Sequence, residues 1–240
     1  MREPGEIAAA LPRPGRALKA VLAIIAIFAV VGAIIVNWAP GGARGLAIYS
    51  WLAFKPSEHA TLHQRPWALL TSGFLTSPEG ISHALWSLFG LYFLTPTLEK
   101  RWGGGRLLRF LALSVVFGNL AVLAGTFFPF LPPVFHPVPF VIGPFAAVIA
   151  TTIAWAKENA HGQIRFMFVF PMSGRMLYWI TIGGAVLAIV FLQNTPEGAL
   201  ALLGGVATGV LFSGSPSPMR ALWLRLRLGS MLSLIHISHP

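Results

Sequence analysis

The chain has 240 residues, of which 55% are apolar and only 10% carry a charge. Soluble domains carry about 25% charged residues, so this composition excludes an ordinary water-soluble globule and indicates a protein embedded in lipid. There is no cysteine, which excludes disulfides, thiolate metal sites and cysteine nucleophiles. The net charge of +10 is explained by attraction to anionic lipid headgroups, and we expect no nucleic-acid partner.

Six apolar stretches predict six membrane-spanning helices. A hydrocarbon core takes about 20 residues of helix, and residues 20–38 carry no charge. This stretch exceeds the apolar part of a cleaved signal peptide, which is about 7–15 residues long, so we expect it to remain as a helix. The six predicted spans are residues 20–38, 83–98, 107–127, 140–156, 176–193 and 198–212. The predicted fold class is an all-α, polytopic membrane protein.

The basic residues predict how the chain is oriented. Lys and Arg collect in short cytoplasmic loops, and all but three of the 17 lie on one side of the predicted spans. The exceptions are Arg44, Lys55 and Arg65 in the first loop. We therefore expect an inner (cell) membrane protein with both termini in the cytoplasm.

Three regions follow from this topology. They are a cytoplasmic N-terminal segment (residues 1–19), a membrane domain (residues 20–213) and a basic cytoplasmic tail (residues 214–240). The last ten residues, MLSLIHISHP, resemble a translated sequencing adapter. We expect them to be foreign to the protein and leave them out of the interpretation.

The long first loop contains an apolar segment whose position the sequence leaves open, and a group of polar residues that could suggest a metal site. The segment LAIYSWLAF, residues 46–54, is either an interfacial segment or an ordinary apolar packing segment. Glu58, His59 and His63 lack the HExxH order and a third ligand, so we expect no metal. The lone His136 is expected to face water or headgroups, and no cofactor is expected.

From Arg65 onward the motifs resemble the rhomboid superfamily, over roughly residues 65–212. Residues 66–72 carry Pro-Trp-x-x-x-Thr-Ser, His83 opens the second span, and Leu-Glu-x-x-x-Gly ends at Gly103. VIGPFAAVIA (residues 141–150) lies where rhomboids carry Gly-x-Ser-Gly-Ala, and ALLGGVATG (residues 201–209) where they carry Ala-His-x-Gly-Gly-x-x-x-Gly. The resemblance implies the six-helix bacterial rhomboid-like bundle and, in active members, an intramembrane serine endopeptidase.

The catalytic dyad that the resemblance implies is missing. Matching Gly143 to the first glycine of the motif places Phe145 at the serine position, and matching the paired glycines places Leu202 at the histidine position. No alignment restores the dyad, because residues 140–156 contain no serine and residues 176–212 no histidine. Nucleophilic catalysis needs an attacking atom and an adjacent base, and both are absent.

Other family positions are read as structural. His83 lies where family members help to stabilise an oxyanion, but the companion asparagine is Ser87, so we expect a structural polar contact. The resemblance implies that Glu99 orders the end of the second helix, and we expect it to form an ion pair with nearby basic residues. Those residues are Lys100, Arg101, Arg106 and Arg109. Gly103 begins a turn.

Small residues predict contact between the fourth and sixth helices. In lipid, small residues four apart let two helix backbones approach closely. This spacing occurs at Ala146 and Ala150 in the fourth span and at Gly205 and Gly209, beside Gly204, in the sixth. Phe145 and Leu202 would then fill the former site with apolar volume, which predicts a dry interior.

Three functions remain from the sequence. The first is a catalytically inactive rhomboid-like protein, a pseudoprotease, that binds the transmembrane segments of client membrane proteins, as inactive rhomboids and derlins do. The second is an intramembrane serine-type protease using Ser87, Ser114 or Thr151. The third is a small membrane transporter, which is disfavoured because only the boundary residues His83 and Arg109 are ionisable within the spans.

Overall fold

A computed structural model of the chain describes residues 13–38, 42–57, 61–78, 80–128, 140–160, 162–166, 170–191, 195–214 and 217–237. The candidate residues Glu58, His59 and His136 lie outside these ranges. The first helix, α1, is Arg16–Asn37. It buries Leu18 and Ile25 but exposes Ile27 and Val30, so one face of α1 packs on protein while an equally apolar face is left for lipid.

The first loop folds back onto the bundle through short helices. These are α2 (Gly42–Leu52), α3 (Thr61–Gln64), α4 (Ala68–Thr71) and a 3-10 turn (Ser72–Phe74). Phe54, which is buried, pairs its backbone with Val141 in both directions, and the Tyr49 hydroxyl donates to the Thr76 carbonyl. The segment 46–54 is therefore helical up to Leu52, and its position at the membrane interface stays a prediction.

Two long helices follow with a one-residue connection. Helix α5 is Ile81–Trp102 and α6 is Gly104–Thr126. Between them Gly103 has φ +79° and donates its N–H to the Glu99 carbonyl at 2.8 Å. A left-handed residue ends a helix cheaply only when it is glycine, so Gly103 produces the sharp reversal that the sequence interpreted as a turn.

The second half of the chain contains four helices and a small hairpin within the described residues. They are α7 (Phe145–Glu158), β1 (Gln163–Phe166), β2 (Phe170–Ser173), α8 (Gly174–Phe191), α9 (Ala201–Phe212) and α10 (Pro218–Ile237). The two strands are antiparallel, with Gln163 opposite Ser173. The sequence did not predict this hairpin, which is too short to change the fold class.

Helix lengths and composition agree with a protein that crosses a membrane several times. Among the described helices, α1, α6 and α8 are long and apolar enough to cross a bilayer, and α9 is a shorter apolar helix. The all-α, polytopic class predicted from the sequence is confirmed.

Helix α9 packs closely against α6 and α7. A Cβ atom added to Gly204 would lie 2.3 Å from the Phe117 carbonyl oxygen on α6, and one added to Gly205 would lie 2.4 Å from the Ala146 carbonyl oxygen on α7. A Cβ added to Gly209 would lie 2.8 Å from the Cβ of Ile153 on α7. Since hydrophobic burial does not drive helix association in lipid, these close backbone contacts are a main source of cohesion, and they position the start of α7 beside α9.

Glu99 holds the start of α1 instead of forming the expected ion pair. Its carboxylate is buried and accepts the backbone N–H groups of Gly15 at 2.8 Å, Ala17 at 3.0 Å and Leu18 at 3.4 Å. The first N–H groups of a helix have no partner within it and carry partial positive charge. A carboxylate from α5 therefore satisfies the end of α1, and no basic side chain in the described part of the chain pairs with it.

Candidate functional site

The site is built around His83, in the first turn of α5. The imidazole Nδ1 accepts the backbone N–H of Ser77 at 3.0 Å. An acceptor nitrogen carries no proton, so this contact assigns the hydrogen of the neutral ring to Nε2. The side chain is only 11% exposed, which leaves its polar atoms dependent on protein partners.

Glu197 supplies the second partner of this imidazole. It lies in the turn before α9, it is buried, and its Oε1 accepts the Nε2 hydrogen of His83. A carboxylate on one ring nitrogen and a backbone amide on the other fix the ring's tautomer and orientation. A general base needs a free ring nitrogen to take a proton from a nucleophile, and both nitrogens of His83 are occupied.

Gly143 closes the site from the loop before α7. Its φ is +125°, and an added Cβ would lie 2.7 Å from Oε1 of Glu197 and 2.8 Å from Cε1 of His83. Its N–H donates to the Ser72 carbonyl at 2.9 Å. Glycine is required here both by the backbone conformation and by the space that the His83–Glu197 pair occupies.

Phe145 covers the face of the imidazole. The two rings stack with centroids 5.6 Å apart and planes 15° from parallel. The chain therefore places an aromatic ring on His83 at the position where the rhomboid resemblance implies a serine. Phenylalanine offers no attacking atom, so this position supplies no nucleophile to the histidine and carboxylate beside it.

Leu202 lies in the first turn of α9, where it is buried. It stands one turn before Gly205, whose Cα faces Ala146 of α7, so α7 and α9 meet next to both degenerate positions. The dry interior expected from these two side chains stays a prediction, and the interior also contains polar groups. A buried imidazole–carboxylate pair adjoins Phe145, and its polarity is satisfied internally.

The three hydroxyls considered as unorthodox nucleophiles are bonded to their own helices. Ser87 donates to the His83 carbonyl, Ser114 to that of Phe110, and Thr151 to that of Ala147, each four residues back. All three residues are fully buried. Such bonds are the ordinary way in which Ser and Thr satisfy their hydroxyls in a helix, and among the described residues no side-chain base is hydrogen-bonded to these oxygens.

Sequence reasoning missed Glu197, which it did not single out as a candidate. One signal could have found it. In the predicted topology His83 and Glu197 lie at the same end of their spans, where charged residues are scarce, and a buried ionisable group needs a partner. It also missed Ser72 and Asn119, whose side chains join at 2.7 Å and fix the loop that receives Gly143.

No cluster suited to a metal ion is present in the part of the chain that the structure describes. His63, the one member of the first-loop histidine pair within that part, is exposed.

The geometry and the helices define the class as an all-α, polytopic membrane protein. The model of the Der1-like family matches residues 25–213, and the chain belongs to this family. The family is part of the rhomboid-like superfamily, so the resemblance seen in the motifs is confirmed at that level. Its members are usually inactive relatives of proteases. No individual curated protein matches the chain.

Proposed function

We propose that this chain is a catalytically inactive rhomboid-like protein that binds the transmembrane segments of client membrane proteins within the bilayer. One observation supports the absence of catalytic activity. Both ring nitrogens of His83 are hydrogen-bonded, to Glu197 and to the Ser77 amide, and the Phe145 ring stacks on the imidazole. A framework that keeps its helix packing but has no activated nucleophile is suited to binding.

The outward faces of α5 and α8 are the proposed client surface. On α5, Trp86 and Phe89 are exposed and their rings lie 6.0 Å apart. On α8, Gly183 and Gly184 interrupt a face of large apolar side chains, and a Cβ added to either meets no atom within 4 Å. A pair of small residues on an open helix face lets another helix approach closely in lipid.

A crosslinking experiment tests client binding. A photo-crosslinking residue is placed at Val186 on α8 or at Trp86 on α5, with Ile27 on the lipid face of α1 as the control position; all three side chains are exposed. Two tagged single-span proteins are co-expressed, one with polar residues at the centre of its span and one with an all-Leu span. Polar groups are costly in lipid, whereas Leu gains nothing by leaving it.

We expect the polar span to crosslink at Val186 and Trp86 but weakly at Ile27, and the all-Leu span to crosslink weakly everywhere. Equal yields at all three positions would contradict the proposal. G183L should reduce crosslinking at Val186, because a leucine side chain would fill the space that Gly183 leaves open on the face of α8. V190L on the same exposed face is the matched control. Because Gly is a poor helix former, loss of the fold is not the expected effect of G183L.

The membrane topology is part of the same proposal. It consists of six spans within residues 20–213, in the inner membrane, with both termini in the cytoplasm. The lack of native cysteine makes single-cysteine labelling clean. Cysteines at Arg44 and Lys55 should react with an impermeant maleimide from outside the cell, and cysteines at Arg106 and Arg220 should not.

A further inference from the structure

An open groove lies between the end of α7 and the start of α8. It has a volume of about 340 Å³ and is lined by Ala156, Lys157, Ala160, Arg175, Tyr178 and Trp179. It is unrelated to the His83 site, which lies at the other end of α7. Two cations and two aromatic rings are therefore gathered around one cavity near a membrane boundary.

The positive charge in this groove is not neutralised by the described protein. The Lys157 ammonium donates to the carbonyls of Val210 at 2.9 Å and Ser213 at 3.4 Å, which holds it in place. Its neighbour Glu158 is committed to Arg101 and to the Trp102 indole. Among the described residues no carboxylate pairs with Lys157.

Arg175 adds a second cation at an electrostatically unfavourable position. It is exposed in the first turn of α8, where the helix dipole disfavours positive charge. That turn contains no acidic residue, and no carboxylate among the described residues pairs with the guanidinium. An anion from outside the protein would be favoured beside these two cations.

The aromatic and apolar residues around the groove suit an amphiphile and not a free ion. Trp179 is 64% exposed, and its ring lies 5.3 Å from that of Tyr178. Exposed Trp and Tyr belong at the level of lipid headgroups. Met176 and Ile180 continue the exposed surface along α8 with apolar side chains. Two basic and two aromatic residues thus line one groove, beside an exposed apolar stretch of α8.

We propose that this groove binds the phosphodiester headgroup of an anionic phospholipid. Arg175 and Lys157 contact the phosphate, Trp179 and Tyr178 lie at headgroup level, and the acyl chains lie along α8. Basic pockets between helices at a cytoplasmic boundary are a known physical basis of headgroup recognition. The proposal does not depend on client binding or on the fate of the catalytic dyad.

Native mass spectrometry of the purified full-length chain tests this proposal. Phosphatidylglycerol and phosphatidylcholine are titrated separately against the wild type, R175Q, R175K and R109Q. R109Q removes another exposed cation, whose side chain bonds, among the described residues, only the Gly105 carbonyl of its own helix. A further series adds inorganic phosphate in large excess, which separates a lipid headgroup from a soluble phosphate as the bound species.

We expect phosphatidylglycerol to bind more tightly than phosphatidylcholine. R175Q should lower the affinity for phosphatidylglycerol by about fivefold, which is the contribution of one juxtamembrane cation. The affinities of R175K and R109Q should stay near that of the wild type. Phosphate should not displace the lipid. Equal loss in R175Q and R109Q would overturn the proposal by showing a diffuse charge effect. Displacement by phosphate, or equal affinity for both lipids, would overturn it too.

Discussion

His83 and Glu197 are hydrogen-bonded to each other across 114 residues of chain. The pair joins the first turn of α5 to the turn before α9 and lies against Gly143, the residue that leads into α7. Three helices therefore meet at one buried polar contact. The His83 imidazole therefore links these elements through hydrogen bonds, which is a structural role that needs no nucleophile.

Removing the carboxylate should destabilise the bundle. E197A leaves the Nε2 hydrogen of His83 buried without an acceptor, which costs about 1–3 kcal/mol. E197Q keeps an acceptor oxygen and should cost less. The free energy of unfolding is measured by reversible unfolding in detergent micelles. A double-mutant cycle with H83A should show a coupling of about 0.5–3 kcal/mol, and additive effects would contradict the role assigned to this pair.

Gly143 should tolerate no side chain. Its φ of +125° and the closeness of Glu197 and His83 mean that G143A combines backbone strain of about 1–2 kcal/mol with a steric clash. The control is G105A in the first turn of α6, where an added Cβ meets no atom within 4 Å. We expect G105A to be neutral or to stabilise by about 0.5–1 kcal/mol. Similar unfolding temperatures for both variants would contradict this reading.

The helix cap provided by Glu99 should be worth more than a surface ion pair. E99A removes the acceptor of three backbone N–H groups, and hydrogen bonds to a charged group contribute about 1.5–3 kcal/mol. R101A removes a half-exposed guanidinium that pairs with Glu158, a class of pair worth about 0–1 kcal/mol. Thermal unfolding of the two variants compares them directly. The prediction is wrong if R101A is the more harmful.

The contact between α7 and α9 should be sensitive to a single methyl group. G205A would place a Cβ 2.4 Å from the Ala146 carbonyl oxygen, so the helices must separate at a cost of about 1–3 kcal/mol. G184A on the open face of α8 meets nothing within 4 Å and should change stability by less than about 1 kcal/mol. Equal destabilisation would show that the packing is looser than described.

Much of the fold could be predicted from the sequence because the bilayer restricts the choices. Runs without charge can cross lipid only as helices or as closed barrels, so the positions of α1 and α6 follow from composition. The β1–β2 hairpin and the short helices of the first loop could not be predicted. They lie outside the apolar runs, and their form depends on contacts such as that between Phe54 and Val141.

The absence of the catalytic dyad could be predicted from the sequence, whereas the hydrogen-bond partners within the site were much harder to predict. The absence of a serine near Phe145 and of a histidine near Leu202 can be read directly from the residues. The partner of His83 was harder to find, because Glu197 is distant in sequence and belongs to no motif of the resemblance, and only the scarcity of charged residues at that end of the spans points to it. Glu99 shows the same limit: proximity in sequence suggested basic partners, whereas its actual partners are backbone amides of α1.

The central claim is that the rhomboid-like framework keeps His83 in a structural role and has no proteolytic activity. The most direct measurement exposes the purified chain, reconstituted in lipid vesicles, to a fluorophosphonate probe and to a membrane-embedded peptide substrate. The account predicts no labelling and no cleavage. Cleavage that the probe abolishes, together with labelling lost on S87A, S114A or T151A, would contradict it.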